Sequence, residues 1–121
     1  MGSFNDINLK KWKESEIWTD SLWIIPERDK SGKHDNSYHG NFVPQIPRQL
    51  ILRYTKKNDI VFDPFAGSGT TLIVANNTNR YSVGLEIDLK YCELSKQRIK
   101  SFFWLLHYKN FKKQNFKLLI K

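Results

Sequence analysis

Two carboxylates and a pair of glycines are the residues here whose types and spacing could do chemistry. The stretch Asp63-Pro64-Phe65-Ala66-Gly67-Ser68-Gly69-Thr70-Thr71 follows an apolar segment and precedes a mixed apolar and polar one. Gly67 and Gly69 at such a junction let the backbone turn tightly, so a ligand can approach free N–H groups at a helix start. No third glycine follows two residues on, and Thr70 stands where the lysine of a phosphate-binding P-loop would be, which excludes that loop. The negative charge of Asp63 is a poor neighbour for a pyrophosphate and a good one for a ligand bearing an ammonium or hydroxyls. Glu86, 23 positions later, ends a second apolar run. An acid at that point can accept hydrogen bonds from the 2′- and 3′-hydroxyls of a ribose, with Ile87 as an apolar neighbour for the base. Either acid alone is an ordinary strand-end residue; the two together, around one glycine loop, point to an adenosyl-type ligand.

These residues need a frame. PRQLILRY, from Pro47, reads as a helix with proline in its first turn and Leu50, Ile51 and Tyr54 on one apolar side. Residues 60–62 form a strand, and 70–77 a helix with Leu72, Ile73 and Val74 turned inward. Residues 81–87 form a second strand, and Asp88 caps a helix in which Leu89, Cys92, Ser95 and Ile99 share a face while the Lys and Arg residues fall elsewhere. Strands alternating with helices at this spacing imply an α/β fold with a parallel sheet flanked by helices. The two strands are apolar on both faces, the habit of a sheet covered on both sides. A third strand is expected at 21–25, closed by Pro26, and residues 28–41 make a long polar loop.

With 121 residues the chain is at most one small domain, read as an N-terminal extension (1–20), a ligand-binding region (21–100) and a tail (101–121). The tail holds an apolar FFWLLHY with no obvious internal mate, then five lysines and no acid over residues 109–121, as a basic amphipathic helix or strand. A formal net charge of +8 suits a polyanionic partner, although solubility alone explains many such surfaces. No run nears the roughly 20 apolar residues that span a bilayer, and no secretory signal is seen. The single cysteine, Cys92, forms no internal disulfide and fits a reduced, cytoplasmic setting. His34, His39 and His107 offer no metal-ligand spacing with Cys92, so no metal site is expected.

DPFAGSGTT, the strand ending GLEID and the helix YCELSKQRI together resemble the AdoMet-binding half of the DNA amino-methyltransferases, which methylate N6 of adenine or N4 of cytosine. The preceding YHGNFVPQIPRQLILRYTKKNDIVFD resembles the segment that comes just before the glycine loop in the circularly permuted classes. The match covers about residues 20–100. It implies a Rossmann-like, AdoMet-dependent methyltransferase fold, present here in part, and S-adenosyl-L-methionine as cofactor. It also implies that Asp63 lies near the methionine moiety, that Pro64, Phe65, Ala66, Gly67, Ser68 and Gly69 wrap it, and that Glu86 holds the ribose beside Ile87. Asn41 and Phe42, with Val43 and Pro44, would close over the cofactor, and Ser21 and Trp23 begin that same region. Double-stranded DNA, in a restriction–modification setting, is the implied partner of the complete enzyme.

Methyl transfer to an exocyclic amine asks for more than a cofactor pocket. Its lone pair is delocalised into the base, so a side chain and a carbonyl must draw on its hydrogens while an aromatic ring holds the extruded base. The family does this with an Asp/Asn/Ser-Pro-Pro-aromatic tetrapeptide. Here the prolines are Pro26, Pro44, Pro47 and Pro64, no two adjacent, and Asp35-Asn36-Ser37-Tyr38 is only an imitation. No catalytic residue is therefore assigned. In the permuted order the tetrapeptide comes first, so the chain reads as a C-terminal half whose N-terminal half is a separate subunit, is lost or has been trimmed. The expected partner is that half, or a second copy in a homo-oligomer. The alternative is a non-catalytic AdoMet- or DNA-binding assembly module derived from a methyltransferase.

Overall fold

The structure is a computed structural model that describes residues 3–31 and 43–99 in full, with the backbone of one further strand at Trp104–His107. After a short 3-10 turn at Trp12–Glu14 come α1 (Gln45–Tyr54), β1 (Ile60–Asp63), α2 (Thr70–Asn77), β2 (Tyr81–Glu86), α3 (Leu89–Arg98) and β3 (Trp104–His107). All three strands are parallel in the order β1-β2-β3, with Asp63 opposite Gly84 and Val83 opposite Trp104. Right-handed crossovers running one way across a sheet place their helices on one face. Alternation along the strands agrees: Ser82 and Gly84 are buried, whereas Ile60, Phe62 and Tyr81 are exposed on the opposite side. Of the two apolar faces expected to be covered, one is covered among the described residues.

Local sequence explains the elements. Pro44 stands at the N-cap of α1 and Pro47 is its third residue, where the missing N–H would have had no intrahelical partner. The Asp88 side chain accepts the Lys90 N–H at 2.8 Å and caps α3 as expected. Asn79 ends the α2 turn with φ +61°, a left-handed position that asparagine tolerates. The middle of α2, Leu72 to Ala75, is a continuous apolar run and is buried on every side. Leu72 and Ile73 pack with Ala66 and Ile99 towards α3, and Val74 and Ala75 pack with Ile51 and Val61 towards α1 and the sheet.

The third strand is not at 21–25. Those residues run as a loop, and the chain on either side of them is tied to α1. Gln49 donates to the Glu16 carbonyl and accepts from the Trp18 N–H, at 3.1 and 2.7 Å. Gln45 does the same with the Glu27 carbonyl and the Asp29 N–H, at 2.7 and 3.1 Å. Each glutamine thus grips the backbone at residues i and i+2. The third strand is instead Trp104–His107, so the apolar stretch in the tail does have an internal mate in β2.

Two helix faces also differ from expectation. On α1 the buried side chains are Pro47, Gln49 and Ile51, while Leu50 and Tyr54 are exposed, since Gln49 turns inward to hold the chain. On α3 Leu89 is exposed and Arg98 is buried with Cys92 and Ser95. That arginine turns inward because the glycine loop offers it a main-chain oxygen, the Ser68 carbonyl.

Candidate functional site

Asp63 and Glu86 end their strands on the helix-covered face, with Glu86 two residues beyond the partner of Asp63. Strand geometry puts their backbones roughly 8 Å apart. Between them the glycine loop crosses the carboxyl ends of the strands, the place where open α/β sheets bind ligands. Gly67 and Gly69 have φ +51° and +84°, conformations that L side chains rarely adopt. Gly69 is also the N-cap of α2, and a Cβ there would lie 3.0 Å from Ser95 Oγ and 3.2 Å from Ile99 Cδ1. This glycine is therefore needed twice, for its conformation and for close packing against α3.

The loop is held from several directions. Asp63 Oδ1 accepts the Phe65 N–H at 3.0 Å, which turns the chain out of β1. The Ala66 N–H reaches the Leu85 carbonyl at 2.9 Å, and the Gly69 N–H closes a turn onto the Ala66 carbonyl at 2.8 Å. Glu86 Oε2 accepts the Gly67 N–H at 2.8 Å, while Oε1 accepts the N–H groups of Ile87 and Asp88, both at 2.8 Å. Beneath, α3 donates to two loop carbonyls: Ser95 Oγ to Gly67 at 2.8 Å and Arg98 Nη1 to Ser68 at 2.8 Å. Cys92, one turn earlier, directs its Sγ at the Glu86 carbonyl, 3.7 Å away. Burial, and next the Glu86 charge, push the Cys92 thiol above its ordinary range.

Of the residues singled out in the sequence, the structure brings together Asp63 to Gly69 with Glu86 and Ile87. Phe65 is 88% exposed and Ile87 60% exposed, two apolar groups presented at the same end of the sheet. Ala66 and Ser68 are buried and Pro64 is exposed. Ser21 and Trp23 lie on the loop between the two glutamine-held stretches. The Trp23 ring meets Trp18 edge-on at 5.9 Å and its Nε1 donates to the Asp20 carbonyl at 2.9 Å. Among the described residues no hydrogen bond joins either to the glycine loop. Asn41 and Phe42 lie outside the described residues, as do His34, His39 and the imitation tetrapeptide at 35–38. Ser95 and Arg98 were missed as loop-holding groups. Their signal was the repeat of three along Cys92, Ser95 and Arg98, obscured in Arg98 by the habit of assigning charge to solvent.

The sequence is similar to known proteins over most of its length. The profile of a family described as DNA methylase, of the N6/N4 type, matches residues 4–97. The orphan methyltransferase M.BamHII of Bacillus amyloliquefaciens is 34% identical over 90 residues, covering 72% of this chain and 34% of that protein. The type II methyltransferase M2.LlaDCHI of Lactococcus lactis subsp. cremoris is 36% identical over 100 residues, covering 82% of this chain and 34% of that one. The crystal structure of the M1.HpyAVI–SAM complex superposes with a TM-score of 0.49 at 33% identity, covering 52% of this chain and 32% of that chain. The chain thus spans about a third of the length of these relatives. Since the family profile runs through the N-terminal segment, both strand-end acids and the glycine loop, this chain belongs to the N6/N4 DNA methylase family.

Proposed function

We propose that this chain supplies the AdoMet-binding part of a DNA amino-methyltransferase acting on adenine N6 or cytosine N4. In this reading the order is circularly permuted, the chain is the C-terminal half, and the catalytic tetrapeptide stands on a separate N-terminal half. The observation that carries it is the glycine loop gripped at the carboxyl ends of β1 and β2, between Asp63 and Glu86. The residues present suit the cofactor chemically. A carboxylate offers about four lone-pair positions, and three at Glu86 are taken by backbone N–H groups, leaving Oε2 an acceptor for a ribose hydroxyl. Phe65 and Ile87 offer apolar surface to a base, and Asp63 a counter-charge for an ammonium. When bound, AdoMet supplies an electrophilic methyl group. In this reading the chain's own residues bind and orient it, and the group that polarises the target amine comes from the other half.

The sheet supports the second half of the reading. Ile60, Phe62 and Tyr81 form an exposed apolar face, and β1 has no strand on its outer side among the described residues. Such an edge is a template for pairing. A sheet-completing partner polypeptide, bearing the amine-polarising motif, would cover both and let the complete enzyme bind double-stranded DNA in the cytoplasm.

Titration calorimetry with AdoMet, on wild type and Glu86→Ala, tests the first half. Loss of the charge-assisted interaction should weaken binding by roughly 1.5–3 kcal/mol. No heat from folded wild type, or equal affinity in the variant, refutes the assignment. Radiolabelled methyl transfer to duplex DNA should stay at background for the chain alone and appear when the complementary half is added. Activity of the chain alone would overturn the divided reading.

A further inference from the structure

The glycine loop is tied to both strand ends through its N–H groups, whereas Ser95 and Arg98 of α3 donate to its carbonyls. Ser95 and Arg98 stand three apart on one buried face of α3, and each donates to one loop carbonyl, those of Gly67 and Ser68, both at 2.8 Å. The peptide bonds are trans, so each C=O and the following N–H point in opposite directions. Fixing the Gly67 carbonyl towards α3 turns the Ser68 N–H away from it. Fixing the Ser68 carbonyl likewise sets the plane that carries the Gly69 N–H, at the N-cap of α2. Two consecutive peptide planes are thereby oriented from below.

The choice of residue is informative. A guanidinium keeps its charge at any ordinary pH and is buried only where oxygens receive it. Arg98 is only 8% exposed and aims a nitrogen at a main-chain oxygen of the loop. Ser95 is fully buried and does the same with its hydroxyl. A core that needed only volume would be filled by apolar side chains. Gly69 brings the loop close enough for these bonds, since a Cβ there would meet Ser95.

We infer that Ser95 and Arg98 are positioning residues for the cofactor: they set the glycine loop in its binding shape without touching the ligand. The inference rests on the proposed AdoMet site. The test uses the full chain, with Arg98→Met to remove the donors at similar length and Arg98→Lys to restore one. AdoMet affinity is measured by calorimetry, and amide hydrogen exchange is followed at Gly69 and in β1 and β2. Arg98→Met should bind AdoMet at least tenfold more weakly, with faster exchange at Gly69 and unchanged protection in the strands. Arg98→Lys should recover affinity to within about threefold of wild type. A folded Arg98→Met with wild-type affinity and wild-type Gly69 exchange overturns the inference. So does a loss shared equally by the strands and not recovered by lysine, which marks a purely structural role. If wild type itself binds no AdoMet, the cofactor reading falls, whereas Gly69 exchange still judges whether α3 shapes the loop.

Discussion

Two buried arginines sit at opposite ends of α2, and the same side chain does different work at each. Arg80 follows the C-terminal end of the helix and is enclosed by oxygens from three separated parts of the chain. It reaches Asp6 at 2.9 Å, the Thr55 carbonyl and hydroxyl at 2.8 and 3.0 Å, and the Thr78 carbonyl at 2.6 Å. Asp6 also accepts the Lys57 N–H at 2.7 Å, and Asn5 next to it donates to the Arg53 carbonyl at 2.8 Å. That end is a staple, joining the N-terminal segment to the ends of α1 and α2. Arg98 lies near the N-terminal end and binds a carbonyl of the glycine loop. Evenly shared partners hold a fold together; a donor aimed at a glycine-rich turn, where the backbone has the most freedom to lose, sets a site.

The largest expected effect is at the staple. Arg80 is 2% exposed in its side chain, so Arg80→Met strands the buried Thr78 carbonyl and the part-buried Thr55 carbonyl. Each unmade bond costs about 1–3 kcal/mol; Asp6 is half-exposed and regains water, so its share is small. A total loss of about 3 kcal/mol is expected in urea unfolding, with AdoMet affinity unchanged below the transition. A loss under about 1 kcal/mol, or a selective loss of affinity, would erase the distinction between the two ends.

The next effect sharpens the other end. Gly69→Ala forces a side chain into a left-handed conformation, at about 1–2 kcal/mol, and presses its Cβ against Ser95. Stability should fall by about that amount while AdoMet binding falls further, because the loop must shift to make room. Equal behaviour of Gly69→Ala and wild type in calorimetry would show that the loop's shape does not govern the ligand.

Much of this frame was legible. The order of α1, β1, α2, β2 and α3 followed from punctuation by Pro47, Asn79 and Asp88 and from apolar runs, and the glycine loop from its place between a strand and a helix. Local chemistry decides those features. The third strand was not legible in the same way, since 21–25 and 104–107 are both short apolar runs. What separates them is whether the chain beside them is held by Gln45 and Gln49 or lies next to β2. The inward turns of Gln49, Arg80 and Arg98 were hidden for a related reason. Polar side chains are buried only when distant main-chain oxygens meet them, and those oxygens carry no mark in the sequence.

The smallest effect concerns Cys92, on the same buried face as Ser95 and Arg98. Its thiol is held above its ordinary range by burial and then by Glu86. The unfolded chain therefore loses this proton at lower pH than the folded one. The contribution is fully present below the unfolded thiol's range, and it is lost as pH rises from there through the folded value. Folding stability should thus decline at alkaline pH in wild type, and less in Cys92→Ala measured against its own neutral value. Alkylation of the folded chain at pH 8 should be far slower than in urea, since the thiolate is the nucleophile and the group is enclosed. Rapid alkylation under folding conditions would mean that α3 swings away from the strand end, and with it the support beneath Gly67 and Ser68. The arginine at that end would then be as loosely seated as Arg80 is firm, and the contrast between the two ends would be one of mobility instead of purpose.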